Sequence, residues 1–171
     1  MKDEVVLVTE SDEAIGSMDK LEAHKEAILH RAFSVFIYNS KGEMLLQQRA
    51  KNKYHSAGLW TNACCSHPRP GEDIFSAANR RLFEELGFTT LLKKEFEFTY
   101  KASFENGLTE YEYDHVFTGV FDGEVKPDKN EVSEFCFKSL DEIENDLQNS
   151  GKMYTEWFKI AFPKLVSRQY H

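Results

Sequence analysis

The sequence is poor in cysteine and proline and has no long apolar run. It contains three cysteines and four prolines among 171 residues. An odd number of cysteines, two of them adjacent (Cys64 and Cys65), argues against a disulfide framework and is typical of a reducing compartment. No repeat, linker or low-complexity segment divides the chain, so we expect a single domain over residues 1–171.

The sequence also lacks an excess of basic charge, a membrane-spanning segment and a signal peptide. The formal net charge of −8 opposes bulk attraction to nucleic acid or to an anionic membrane. No apolar stretch approaches the ~20 residues of a membrane span. The first residues, Met1 to Glu4, lack the apolar core of a signal peptide. We therefore expect a cytoplasmic protein without nucleic-acid or membrane partners. The sequence leaves the oligomeric state open.

Alternating and helical apolar patterns predict a mixture of strands and helices. Strands are predicted over Glu4 to Thr9, His30 to Tyr38, Glu43 to Gln48, Leu59 to Cys65, Phe96 to Phe104, Thr109 to Val120 and Ser133 to Phe137. Helices are predicted over Met18 to Ala27 (with Ser17 as candidate N-cap), Asp73 to Leu86, Leu140 to Asp146 and Met153 to Leu165. This order is typical of a mixed α+β sandwich. The order of the strands in the sheet cannot be deduced from it.

One predicted strand carries an acidic face. Acidic and bulky residues alternate along it, as Glu110, Tyr111, Glu112, Tyr113, Asp114 and His115. Successive side chains of a strand point to opposite faces, so the three acids share one face. A solvated acidic face over packed rings is one interpretation. A bound divalent cation that relieves the repulsion between the acids is the other.

Histidines could complete a metal site with these acids. Three histidines (His24, His30 and His67) with two strand carboxylates would suit Mn²⁺, Zn²⁺ or Mg²⁺-type ions. The other histidines are predicted to lie outside such a site. His55 belongs to a loop with Lys, Tyr and Ser, His115 has the wrong strand parity, and His171 is the terminus.

A thiol and several cations complete the set of candidate functional residues. One of Cys64 and Cys65 should face the core and the other a cleft. Cys65 is two residues before His67 and therefore shares its face, so Cys65 is predicted to lie in the cleft. The cations Lys20, Arg49, Lys53 and Arg81 are either solvated surface charges or a cluster that binds phosphate oxygens.

The segment from Ser66 to Phe88 resembles the signature of the Nudix superfamily. The matching positions are Glu72, Arg80, Leu82, Glu84, Glu85, Gly87 and Phe88. Ser66 stands where the signature has a glycine, and Arg81 stands where it has a glutamate that hydrolases of the superfamily use. From Lys20 to Trp157 the chain resembles the type I isopentenyl-diphosphate isomerases, a branch of the superfamily that has arginine at the position of Arg81. The resemblance favours isomerisation over the alternative, a Nudix diphosphohydrolase acting on a nucleoside diphosphate derivative.

This resemblance implies an α/β/α sandwich with a mixed sheet and a central Nudix helix. It implies interconversion of isopentenyl and dimethylallyl diphosphate through a tertiary carbocation. The implied catalytic residues are Cys65, Glu112 and Tyr100, and the implied substrate-binding residues are Lys20, Arg49, Lys53, Arg81 and Trp157. The implied metal ligands are His24, His30, His67, Glu110 and Glu112. A diphosphate-bridging Mg²⁺ is implied at Glu85 and the Cys65 carbonyl.

Overall fold

The computed structural model describes residues 3–53 and 55–169, so His171 lies outside the described residues. The strands are β1 Glu4–Val8, β2 Ala14–Asp19, β3 His30–Tyr38, β4 Met44–Arg49, β5 Trp60–Asn62, β6 Cys64–Ser66, β7 Lys93–Ser103, β8 Thr109–Val120 and β9 Val132–Lys138. The helices are α1 Lys20–Glu26, α2 Ile74–Leu86, α3 Leu140–Ser150 and α4 Glu156–Gln169, with a short 3₁₀ helix at Gly151–Met153. Among the described helices, none combines the length and the apolar character that crossing a membrane requires.

Strand β3 lies at the centre of a mixed nine-stranded sheet. It runs parallel to β8 from the pair His30–Glu112 to the pair Tyr38–Val120. It is antiparallel to β6, with Ser34 opposite Cys65. Because β3 has neighbours on both sides, residues from β6 and β8 are brought to one region of the sheet.

The two faces of the sheet belong to different apolar clusters. Val35 and Ile37 of β3 pack with the apolar side of α2, including Leu82 and Leu86. Phe36, which points to the opposite face, packs in a second cluster with Phe158 of α4. Helices therefore cover both faces, as an α/β/α sandwich requires. The expected fold class is confirmed.

Helix α2 has a well-defined beginning and end. The Asp73 carboxylate accepts a hydrogen bond from the Ser76 backbone N–H at 3.0 Å, which makes Asp73 the N-cap. Gly87 ends the helix with φ of 78°, a left-handed conformation that favours glycine. A Cβ atom on Gly87 would lie 2.8 Å from the Lys126 carbonyl oxygen. The predicted span of this helix is confirmed.

The predicted first helix was wrong at its beginning. Met18 belongs to β2, which pairs antiparallel with β1, so the helix begins only at Lys20. Its N-cap is Asp19, whose carboxylate accepts from the Glu22 N–H at 3.2 Å, and not Ser17. The reason is that β1 offers a row of backbone partners. Gly16 and Ser17, both weak helix formers, pair with that strand instead of extending the helix.

The predicted strand from Leu59 to Cys65 is two strands. β5 pairs with β4, whereas β6 pairs with β3, and Ala63 lies between them. The Asn62 side chain bridges the break by donating to the Val35 and Cys64 carbonyl oxygens at 2.9 and 3.0 Å. The helix predicted from Met153 is also wrong at its start, because Gly151–Met153 forms a separate 3₁₀ turn before α4.

Candidate active site

The acidic face of β8 points into the protein. Glu110, Glu112 and Asp114 are 4%, 6% and 2% exposed. The intervening Tyr111 and Tyr113 are half-buried and pack beside the small apolar cluster that includes Val6 and Val8 of β1. The interpretation of the acids as a solvated face is therefore wrong. Three buried carboxyl groups need protons, cations or hydrogen-bond donors.

Imidazole rings converge on these acids from three elements. His24 lies on α1, His30 begins β3, and His67 follows β6. The ring centroids of His24 and His30 are 5.2 Å apart, and those of His30 and His67 are 4.9 Å apart. His67 Nε2 lies 2.6 Å from Glu112 Oε2, and His24 Nε2 lies 3.9 Å from Glu110 Oε2. The structure thus brings together the five residues that the resemblance implies as metal ligands.

Backbone carbonyls orient two of these rings. His24 Nδ1 donates to the Lys20 carbonyl at 2.6 Å, and His30 Nδ1 donates to the Ile28 carbonyl at 2.8 Å. A carbonyl oxygen can only accept, so Nδ1 carries a proton and Nε2 is the nitrogen turned toward the acids, where a neutral ring could bind a metal ion. This is the arrangement that metal-binding histidines adopt.

The two buried glutamates have pKa values that are shifted in opposite directions. Burial, together with the Glu112 charge, raises the pKa of Glu110 to about 7. Burial also acts on Glu112, but His67 and His30 outweigh it and hold its pKa well below the usual range. Glu110 Oε1 is buried without a hydrogen-bond partner among the described residues. A divalent cation would satisfy this oxygen and remove the repulsion, so the donor set fits a metal ion.

His55 was predicted to lie outside the site, and this prediction was wrong. The loop between β4 and β5 folds back so that His55 is buried, with Nε2 at 3.4 Å from Glu110 Oε2. Its ring is 5.7 Å from that of His24. A loop has no periodic pattern from which the direction of its side chains can be inferred. The signal that could have identified His55 is its position two residues after Lys53, in the loop that carries predicted phosphate-binding cations. His115 is confirmed outside, because its Nε2 pairs with Asp12 at 2.9 Å.

The thiol of Cys65 lines the same pocket as Glu112. Its sulfur lies 3.1 Å from Asn62 Oδ1 and 3.5 Å from Ser34 Oγ, and the Ser34 hydroxyl donates to Asp114 Oδ2 at 2.8 Å. Burial, followed by the charge of Asp114, raises the pKa of Cys65, which keeps it a thiol. The sequence signalled Asp114 only as part of the acidic face, and it gave no signal for Ser34.

Cations form another wall of this pocket. Lys20, Arg49, Lys53 and Arg81 all line it. Burial lowers the pKa of Lys20, and the charges of Lys53, Arg81 and Arg49 lower it further. Lys53 forms an ion pair with Glu131, and Arg81 pairs with Glu84 at 2.6 Å. A cluster of cations close enough to repel one another, within an acidic protein, suits an anionic ligand.

Apolar and further polar groups complete the surroundings. Trp157 lines the pocket, with the Arg49 guanidinium 5.2 Å from the centre of its ring. Glu85, on α2, is buried at the pocket and accepts from Arg81 Nη2 at 3.4 Å. Burial raises the pKa of Glu85. Tyr100 is opposite Glu112 in the β7–β8 register, and burial with the Glu110 and Glu112 charges raises the pKa of its hydroxyl.

Comparison with known proteins agrees with this arrangement. A family profile described as NUDIX domain matches residues 28–158. The chain is 47% identical over 162 residues to the Isopentenyl-diphosphate Delta-isomerase of Pectobacterium atrosepticum, covering 95% of this chain and 90% of that protein. It is 50% identical over 159 residues to Isopentenyl-diphosphate Delta-isomerase 2 of Photorhabdus laumondii, covering 93% and 90%.

The chain belongs to the isopentenyl-diphosphate Delta-isomerase branch of the Nudix family. Solved Nudix-like structures share its fold at low identity. The DR0079 protein of Deinococcus radiodurans is 16% identical, with a TM-score of 0.79 and coverage of 95% of this chain and 98% of that one. The MutT protein of Methanosarcina mazei Go1 is 22% identical, with a TM-score of 0.70 and coverage of 84% and 96%. These two likenesses bear on the fold alone.

The two neighbouring arginines of the Nudix helix α2 have different partners. Arg80 binds Glu72 with two donors, at 2.7 and 2.9 Å, and so ties the helix to the preceding turn. Arg81, where the Nudix signature has a glutamate, faces the pocket instead and pairs with Glu84 and Glu85. In this Nudix domain, a cation therefore replaces one acidic side chain beside the pocket.

Proposed function

We infer that this protein interconverts isopentenyl diphosphate and dimethylallyl diphosphate, a step of isoprenoid biosynthesis. The observation that carries this conclusion is one pocket with a thiol, buried glutamates, an indole and a wall of cations. Relatives that cover nearly the whole chain are named as this isomerase. We expect the protein to act in the cytoplasm, as one domain, on a small-molecule substrate.

The reaction moves one proton onto the substrate and one off it. Protonation of the terminal alkene carbon creates a tertiary carbocation, and loss of a proton from the carbon nearer the diphosphate forms the new double bond. We propose Cys65 and Glu112 as the two groups that exchange these protons. Support comes from their positions on β6 and β8, on opposite sides of β3. Burial raises the pKa of the Cys65 thiol, and His67 and His30 lower the pKa of Glu112, so the two groups differ in proton affinity, as a pair that exchanges protons should.

The carbocation needs stabilisation without capture. We propose that the face of Trp157 supplies it, since an indole attracts a desolvated cation by ~2 kcal/mol or more. Tyr100 is proposed to assist Glu112, which is opposite it across the β7–β8 pair. The buried, water-poor surroundings of these groups also protect the cation from addition of water.

The diphosphate is proposed to bind the cations of the opposite wall. These are Lys20, Arg49, Lys53 and Arg81. We propose that Glu85 and the Cys65 carbonyl hold a Mg²⁺ ion that neutralises the diphosphate. The buried His/Glu set would hold a second ion (Mn²⁺, Zn²⁺ or Mg²⁺), formed by His24, His30, His67, Glu110 and Glu112. That ion would supply positive charge and a fixed direction for the Glu112 carboxylate.

The test is NMR of the purified protein with isopentenyl diphosphate and Mg²⁺ in D₂O. We expect the dimethylallyl isomer, with deuterium entering its methyl group. Cleavage of the diphosphate without isomer would support the Nudix diphosphohydrolase instead. Arg81, which stands at the position of a hydrolase glutamate, favours the first outcome.

A further inference from the structure

We propose that His55 is a further ligand of the metal ion in the His/Glu site, bound through Nε2. The donor atoms form two groups that share His24, one with His30, His67 and Glu112 and one with His55 and Glu110, each within 4.8 Å. An ion that drew both groups together would have six protein ligands, formed by His55 and the five residues of the His/Glu site. This inference rests on the metal centre of the proposed function.

The distances between donor atoms carry the first part of the argument. Donors about 2.1 Å from an octahedral ion lie about 3 Å from their neighbours. His55 Nε2 is 3.4 Å from Glu110 Oε2, which is closer than the 3.9 Å from His24 Nε2 to the same oxygen. His30 Nε2 lies at the same distance, 3.4 Å, from Glu112 Oε2. His55 therefore approaches the carboxylates of the site at least as closely as His24 and His30 do.

The orientation of the ring carries the second part. His55 Nδ1 lies 3.3 Å from the Ser56 hydroxyl oxygen, which can accept its proton. Nε2 then presents a lone pair toward Glu110. His24 and His30 are held in the same way, with Nδ1 on an oxygen and Nε2 toward the acids. An Nδ1 partner of this kind is a regular feature of metal-binding histidines.

The surrounding loop is built to hold this orientation. The His55 ring stacks on Phe104, with centroids 4.8 Å apart and planes at 9°, and meets Trp157 edge-on at 6.1 Å. The next residue, Ser56, has φ of 53°, which is costly for a residue with a side chain. Such a conformation persists when the packing around it is well determined, as it is here for the ring of His55.

Two consequences for the ion follow. Four imidazoles favour a transition-metal ion over Mg²⁺, which prefers oxygen ligands. Six protein ligands would leave no position for substrate or water, so the ion would act through its charge and by orienting Glu112. The diphosphate would then have to bind the separate Mg²⁺ at Glu85.

The experiment compares Co²⁺ binding to the chelator-stripped wild type and to His55→Phe, in the full chain. Phenylalanine keeps a ring to stack on Phe104 but has no donor nitrogen. We expect the variant to bind Co²⁺ about 10- to 100-fold more weakly. Its visible absorption should strengthen, because the ion loses a six-coordinate geometry. The matched control, His115→Phe, changes another buried histidine that pairs with Asp12 and should leave binding unchanged.

The outcomes separate this inference from the metal centre itself. Wild type that binds one Co²⁺, with unchanged affinity and spectrum in His55→Phe, would overturn the role of His55 alone. Wild type that binds no Co²⁺, Mn²⁺ or Zn²⁺ would overturn the whole centre. A measurement without any variant is proton NMR of the Co²⁺-loaded wild type. Four strongly shifted, exchangeable imidazole signals are expected, and three would contradict the proposal.

Discussion

Two adjacent cysteines occupy opposite surroundings. Cys64 is fully buried among the apolar residues beneath α2, whereas Cys65 lines the pocket. The difference follows from the alternation of side chains in β6. The two thiols therefore differ in their surroundings, and substitution of each one separately can distinguish their roles.

Replacing Cys65 by serine should abolish most turnover while the fold survives. The hydroxyl is of similar size and far less acidic than the thiol. Loss of a general acid or base typically costs 10²- to 10⁴-fold in rate, so we expect a fall of about that size. Turnover is measured by the NMR conversion assay.

Cys64→Ser is the matched control for this change. It should leave turnover far closer to the wild-type value than Cys65→Ser does. The free energy of unfolding should fall by no more than roughly 1 kcal/mol, because the buried hydroxyl can donate to Glu85 as the thiol does. Near-normal turnover in Cys65→Ser would remove Cys65 from the reaction.

Replacing Glu112 by glutamine should weaken both the reaction and metal retention. Glu112 Oε2 lies 2.6 Å from His67 and 3.4 Å from His30, so the loss of its charge removes the anion between these rings. Metal content after dialysis and the rate of isomerisation should fall together. The control Glu97→Gln, which changes an exposed residue of β7, should alter neither metal content nor rate. Retained metal with lost turnover would restrict Glu112 to proton transfer.

At the scale of elements, the end of α2 depends on a close backbone approach. Gly87 has φ of 78°, and a Cβ there would lie 2.8 Å from the Lys126 carbonyl oxygen. Gly107, in the β7–β8 turn, has φ of 82° but no atom within 4 Å of the same position. Substitutions at these two glycines therefore distinguish the cost of a left-handed backbone from the cost of a steric clash.

Gly87→Ala should therefore destabilise the protein more than Gly107→Ala. Left-handed backbone alone costs about 1 kcal/mol for an alanine. Only the Gly87 variant must also displace the backbone at Lys126, which should roughly double the loss. Urea denaturation of both variants measures the difference. Equal losses would mean that the chain near Lys126 yields without cost.

Elements with strong local signals were predicted correctly. Helical apolar spacing predicts the span of α2, and the alternating pattern from Thr109 to Val120 predicts β8. Elements that depend on partners distant in the sequence were not predicted correctly. The pairing of Gly16 and Ser17 with β1, and the break at Ala63, depend on which strand lies alongside.

The same distinction applies to the candidate site. Glu110 and Glu112 share a strand face by parity, and family spacing points to His24, His30 and His67. Periodicity could not predict the place of His55, because it does not fix the direction of a loop side chain, and its nearness to Lys53 in the sequence was the available signal. Its place beside Glu110 depends on stacking against Phe104, which comes from the far end of another hairpin.

For the whole molecule, one polar cluster joins the last strand to the closing helices. The Asp146 carboxylate of α3 accepts from Lys138 of β9 at 2.7 Å and from the Tyr154 hydroxyl at 2.8 Å. Lys138 is the largest cause that lowers the pKa of Asp146 below its ordinary value of 3.8. The carboxylate therefore stabilises the fold fully above pH 3.8, and this contribution disappears as the pH falls through the lower, folded-state pKa.

Asp146→Asn should accordingly lower stability at neutral pH by about 1 kcal/mol, as expected for a partly exposed charged hydrogen bond. The difference from wild type should shrink toward zero in strong acid, where the wild-type carboxyl is itself protonated. Denaturant unfolding at pH 7 and near pH 2 measures both values. A difference independent of pH would show that packing, not charge, determines the effect.

The parallel pairing of β3 with β8 has a consequence for the order in which the protein acquires its parts. Ser34 and Asp114 touch although they are 80 positions apart in the chain. During synthesis, β3 emerges with its histidine long before β8 supplies a single carboxylate. Until then the unfinished chain has the imidazoles of the site but neither Glu110 nor Glu112 to balance the charge of a bound ion. Metal capture at the proposed site would therefore be a late event. If so, added metal should slow unfolding and leave the rate of refolding almost unchanged.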